Sequence, residues 1–131
     1  VTLFHSLPPS AEPEIRRDLA RLTGAEPPPS ARILGLRSLG SGTALAVLSP
    51  ALLALRARLA EGLHGMLTAQ DQHAPNLHIT IQNKVGSGEA KALQKALEPA
   101  IIPQDFAFRG LALHAYTGGP WNELQRWPFR G

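Results

Sequence analysis

Apolar residues along this chain recur with a helical period in three stretches and alternate or cluster as strands in six others. Ile15, Leu19 and Leu22 fall at i, i+4 and i+7. They predict a helix from Ser10, as cap, to about Leu22, with Gly24 as its stop. Leu52, Leu55, Leu59, Leu63 and Met66 form a second stripe. Ser49-Pro50 opens it with a capping hydroxyl and a proline at the first helical position. Ala90, Leu93 and Leu97 predict a third helix, capped by Ser87. Strands are expected at 1–5, 31–38, 43–48, 77–84, 105–116 and 121–128, with Ile79 and Ile81 as core. Gly40-Ser41-Gly42 and Gly118-Gly119-Pro120 read as turns, and Leu7-Pro8-Pro9 ends the first strand. Residues 25–30, with Pro27-Pro28-Pro29, and Gln70 to Asn76 read as loops.

This order contains an internal repeat. Thr2-Leu3-Phe4-His5 is followed by a turn, a Ser-preceded helix and two strands joined by a glycine turn. Thr80-Ile81-Gln82-Asn83 is followed by the same series. The chain therefore reads as α+β, a β-α-β-β unit used twice in one domain. The second copy is preceded by a strand and helix, residues 43–66. By symmetry a strand and helix, roughly thirty to forty residues, are expected ahead of Val1.

Composition narrows the function classes. The 131 residues carry a net charge of +3, with 44% apolar and 18% charged residues. That describes one folded domain with a mild basic bias that suits a phosphate-bearing ligand. There is no cysteine, which excludes disulfides and thiolate chemistry and fits a reducing cytoplasm. No apolar run is long enough to cross a bilayer, so no membrane partner is expected.

One stretch carries chemistry. In Leu77-His78-Ile79-Thr80-Ile81-Gln82-Asn83-Lys84, strand alternation places His78, Thr80 and Gln82 on one face. A histidine can take a proton from water or give one to a leaving oxygen. A threonine hydroxyl two residues on can donate to a phosphate oxygen as charge develops there. Alone, His-x-Thr is a weak motif. The repeat strengthens it, because Thr2 aligns with Thr80. The counterpart of His78 is then the residue immediately ahead of Val1. Thr2 and Phe4 share the corresponding face, and His5 falls one step off register, on the opposite face.

The His78-Ile79-Thr80 strand and its counterpart at Thr2 resemble the two-histidine (2H) phosphoesterases, whose signature is two His-x-Thr strands in pseudo-symmetric lobes. His78-Ile79-Thr80-Ile81, the opening Thr2-Leu3-Phe4-His5-Ser6-Leu7-Pro8-Pro9 and the closing Tyr116-Thr117-Gly118-Gly119-Pro120-Trp121 are similar to the bacterial 2'-5' RNA ligase and RNA 2',3'-cyclic phosphodiesterase branch. The resemblance implies a bilobal fold with antiparallel sheets around a cleft, lobes at about 1–42 and 43–131. It implies metal-independent, cofactor-free hydrolysis of a 2',3'-cyclic phosphate on an RNA end or nucleotide, or formation of a 2'-5' bond in reverse. One histidine activates water and the other protonates the departing ribose oxygen. Carried over by position, His78, Thr80 and Thr2 are catalytic. Gln82, Phe4 and Tyr116 are candidate substrate-binding residues, the aromatics by stacking on a base. A monomer is expected.

Blander readings apply elsewhere. His64, His73 and His78 match no metal-ligand spacing. His114 reads as a packed strand histidine. Arg16, Arg17 and Arg21 read as a solvated helix face. A module that binds nucleotide or RNA without turning it over is the alternative from another class. A purely structural domain is the third.

Overall fold

The fold is a computed structural model that describes residues 1–116, 118–119 and 121–131. It is α+β, as the sequence predicts. In chain order it has α1 (Glu12–Ala25), β1 (Ser30–Ser38), β2 (Thr43–Leu48), α2 (Pro50–Gly62), β3 (His78–Gln82), α3 (Ser87–Leu97), β4 (Gln104–Ala107), β5 (Gly110–Ala115) and β6 (Asn122–Pro128). Short 3-10 turns occupy Pro9–Ala11 and Gln70–Gln72.

The chain forms two compact units that interleave in sequence. One comprises residues 1–7 and 30–106, the other 8–29 and 107–131. This division follows spatial contacts, whereas lobes at 1–42 and 43–131 follow the repeat.

The first unit is built on a sheet ordered β3-β2-β1-β4. β2 pairs antiparallel with both β1 and β3. Helices α2 and α3 both contact β1. The apolar stripe of α2 supplies Leu52, Leu55 and Leu59 to the core, joined by Leu63, Val47 and Leu77. The Ser49 hydroxyl accepts from the Leu52 N–H at 3.1 Å and donates to the Ser30 carbonyl at 2.7 Å. The cap is thus also a tie between α2 and β1. α2 stops at Gly62, short of Met66, and Leu63 closes it by donating to the carbonyls of Ala60 and Glu61.

The second unit pairs β5 with β6 and packs α1 against both. Ile15, Leu19 and Leu22 are buried, as their spacing predicts, together with Leu111, Trp127 and Phe129. α1 runs through Gly24 to Ala25, and Ser10 lies in the preceding 3-10 turn instead of capping it. Thr117 and Pro120 of the closing motif and glycine turn lie outside the described residues.

Three strand expectations are corrected. Residues 1–5 form no strand. Side chains take the place of a ladder at this end: the Asp71 carboxylate accepts from the N–H groups of His5 and Ser6, and Arg56 Nε donates to the Leu3 carbonyl. The 105–116 stretch breaks into β4 and β5, which belong to different sheets. The Phe108 N–H leaves the ladder at that break to donate to the Pro29 carbonyl. Ile81 is 42% exposed and is not core. It sits on an edge strand where the pairing slips, because Thr80 faces Ala44 but Gln82 faces Thr43.

The helix starts also differ in kind. Ser49 is fully buried and caps α2 through its side chain, whereas Ser87 is the first residue of α3 and no side chain caps that helix. Ser49→Ala is therefore expected to cost about 1–3 kcal/mol of stability in urea unfolding. Ser87→Ala should stay within about 0.5 kcal/mol. Equal losses from the two substitutions would contradict this reading of the caps.

Candidate functional site

The site is built on the exposed face of β3 and on two irregular segments of the same unit. Antiparallel partners share a face, so the register assigns the neighbours. His78 faces Ala46, which faces Gly35. Thr80 faces Ala44, which faces Arg37. Small residues thus form a floor between the His78-Thr80 pair and Arg37, two strand spacings or about 10 Å away.

Gln82 leaves this face. The slip at Ile81 pairs it with Thr43, one residue from Ala44 and therefore on the other side of the sheet. Its side chain lies 3.0 Å from the Thr43 hydroxyl, which also accepts from Gln94 Nε2 at 3.1 Å. Gln82 is committed to this cluster between β3, β2 and α3. The expectation that it lines the His78 face is corrected accordingly.

A cleft of about 330 Å³ opens beside His78. That volume is enough for a nucleotide-sized ligand group. Its wall includes Thr2, His5, Arg37, Arg56, His73 and His78. Thr2 and His78, from the two halves of the repeat, are thus brought to one cavity. Thr80 follows on the same face of β3.

The His78 ring is oriented by its own strand entry. Its Nδ1 lies 2.8 Å from the Asn76 carbonyl. A carbonyl only accepts, so Nδ1 carries the hydrogen and the neutral ring keeps its lone pair on Nε2. Arg37 donates to the same carbonyl at 3.4 Å.

The Thr2 segment is held by two buried charges. Asp71 is 1% exposed and accepts from the N–H groups of His5, at 2.9 and 3.0 Å, and of Ser6, at 2.9 Å. Burial raises its pKa, but the N–H groups of His5 and Ser6 and the His5 ring outweigh burial and hold the carboxyl below its ordinary value of 3.8. Arg56, also buried, donates to the carbonyls of Leu3 and Asp71. Its guanidinium stacks over the Phe4 ring at 4.3 Å. Burial pushes the Arg56 pKa down, and the Asp71 charge opposes that shift. Phe4 is therefore engaged as a platform for Arg56 and does not line the cleft.

His5 lines the same cleft as Thr2 and His78. The expectation that it points away rested on strand alternation, which does not apply to an irregular segment. Tyr116 belongs to the other unit, where it is 61% exposed and packs against Trp121 at 4.9 Å between ring centroids. His114 there lies 3.7 Å from Glu123. Among the described residues no group of three or more His, Asp or Glu side chains is placed to hold a metal ion.

Arg37, Arg56 and Asp71 escape sequence reasoning. Arg37 could have been found from the strand register, had the β1–β2 pairing been drawn. Asp71 and Arg56 carry no sequence signal, since an acid in a polar loop and an arginine in a helix ordinarily face water.

A family model described as the 2'-5' RNA ligase superfamily matches residues 1–120. Among solved structures, the crystal structure of TT0787 of Thermus thermophilus is similar at 20% identity and a TM-score of 0.64. The match covers 98% of this chain and 75% of that one, and at this identity it speaks to the fold alone. No curated protein matches.

The Asp71 carboxyl binds its proton more weakly in the folded chain than in the unfolded one. Its contribution to stability is complete above the ordinary value of 3.8 and is lost as pH falls through the lower folded value. Asp71→Asn is expected to be less stable than the parent at pH 7, with the difference shrinking as pH drops below that range. Urea unfolding at pH 7 and pH 3 measures it, and a difference that grew toward acid would have the wrong sign.

Proposed function

Because the chain belongs to the 2'-5' RNA ligase superfamily, among the two-histidine phosphoesterases, we propose that the His78 cleft binds and turns over a 2',3'-cyclic phosphate at an RNA end or on a nucleotide. The observation that carries this reading is the meeting of His78 and Thr2 in one cleft with Arg37 and Arg56. The repeat treats Thr2 as the counterpart of Thr80, so both threonine hydroxyls are assigned to the non-bridging phosphate oxygens.

In hydrolysis a water oxygen bonds to phosphorus as the bond from phosphorus to one ribose oxygen breaks. A proton leaves the water and a proton reaches the departing oxygen. His78, with Nδ1–H fixed on the Asn76 carbonyl, presents Nε2 for one of these transfers. The other falls to a second proton-transfer group on the opposite side of the phosphorus, because an in-line displacement takes its two protons at opposite ends. Arg37 and the threonines stabilise the negative charge that grows on the phosphate oxygens. No step calls on a metal ion, so the reaction is assigned as metal-independent. Formation of a 2'-5' bond uses the same groups in reverse.

Turnover of a 2',3'-cyclic nucleotide in EDTA tests this directly. A rate indifferent to the chelator and bell-shaped in pH is expected. His78→Ala should lower it at least about 10²-fold, and Thr80→Ala by about 10²-fold. A folded, nucleotide-binding chain without turnover would replace the enzyme reading with that of a binding module.

A further inference from the structure

His5 stands apart from the motif histidine, yet it is held more firmly than a surface side chain needs to be. Its backbone N–H and that of Ser6 both donate to Asp71. Its ring Nδ1 lies 3.2 Å from Asp71 Oδ1. An ionised carboxylate only accepts, so Nδ1 carries the hydrogen and Nε2 is left without a protein partner among the described residues. The His5 side chain is 44% exposed while that of Asp71 is 1% exposed. The anchor is thus buried, and the ring opens on the cleft that His78 lines.

His78 repeats this arrangement with a carbonyl in place of the carboxylate. Two imidazoles therefore enter one cavity with Nδ1 fixed and Nε2 available. The other charged or titratable groups around that cavity are Arg37, Arg56 and His73, besides Asp71 itself. Arg56 is occupied with the carbonyls of Leu3 and Asp71. An exposed ion pair would contribute little to stability. Asp71 already receives two backbone N–H groups, and the ring is a third donor to the same carboxylate. What the pairing adds is a defined direction for the His5 imidazole.

We propose that His5 is a second phosphate-contacting imidazole of the His78 cleft and that Asp71 is its positioning residue. This rests on the phosphate-site reading of the cleft. The ligand is a nucleoside phosphate whose non-bridging oxygens accept from His5 Nε2 in its protonated form, while His78 faces the ribose-side oxygen. His5 then adds to grip on the phosphate group, apart from the proton transfers at His78.

The test uses the whole chain and a nucleoside 3'-monophosphate as probe. Nitrogen-15 spectra of the histidine rings are followed during titration, and Kd is measured for the parent, His5→Asn and Asp71→Asn. The ring nitrogens of both His5 and His78 are expected to shift with nucleotide. His5→Asn should weaken binding tenfold or more. Asp71→Asn should weaken binding similarly and alter the His5 nitrogen-15 tautomer pattern before any ligand is added. If His78 responds while His5 does not, and His5→Asn binds within twofold of the parent, the inference is wrong and the phosphate reading survives. If both rings respond but no cyclic phosphate is turned over, the inference stands and the phosphoesterase reading fails. If neither ring responds, the role of His5 falls with the site. His5→Asn removes a half-exposed ring, so the result does not depend on whether Asp71→Asn folds well.

Discussion

A single buried carboxylate holds the candidate site together. Asp71 accepts from two consecutive backbone N–H groups and one imidazole, and this fixes the Thr2 segment beside the loop that leads into β3. Burying a carboxylate is costly unless its charge is matched by donors. The match here comes from a stretch of chain more than sixty positions away, so the cost of burial and the placement of Thr2 are settled by the same contacts. Arg56 completes the arrangement from α2 by taking the Leu3 and Asp71 carbonyls while resting on Phe4. Without a strand ladder, these side chains give residues 2–6 a defined conformation.

The orientation of the histidines follows from the same economy of partners. His78 and His5 each give Nδ1–H to an oxygen acceptor of their own unit. Each is thereby left with Nε2 for an external oxygen. Gly35, Ala44 and Ala46 lie between the His78-Thr80 pair and Arg37 in the register of the sheet. Arginine, threonine and histidine side chains thus border one cleft.

Much of this was legible in the sequence because it depends on local pattern. Ile15, Leu19 and Leu22 declare the buried face of α1, and Ser49-Pro50 marks the start of α2. His78 and Thr80 share a face because they are two residues apart in a strand. What was not legible depends on pairing between distant segments. The slip at Ile81, which carries Gln82 to the opposite face, is a property of the β2–β3 register. The first segment reads as a strand from Val1-Thr2-Leu3-Phe4, yet the N–H groups that follow it, those of His5 and Ser6, go to Asp71. His5 departs from strand alternation for the same reason, since alternation assigns a face only where a strand exists. Phe4 and Arg56 find each other across 52 positions, which no periodicity reports.

The most direct measurement is a crystal structure of the chain with a bound nucleoside 2'-monophosphate. The phosphate is predicted to lie in the first unit's cleft, with an oxygen within hydrogen-bond distance of His78 Nε2 and another accepting from the Thr80 hydroxyl. A phosphate seated elsewhere, with His78 and Thr80 untouched, would contradict the assignment of this face of β3 as a phosphoester site.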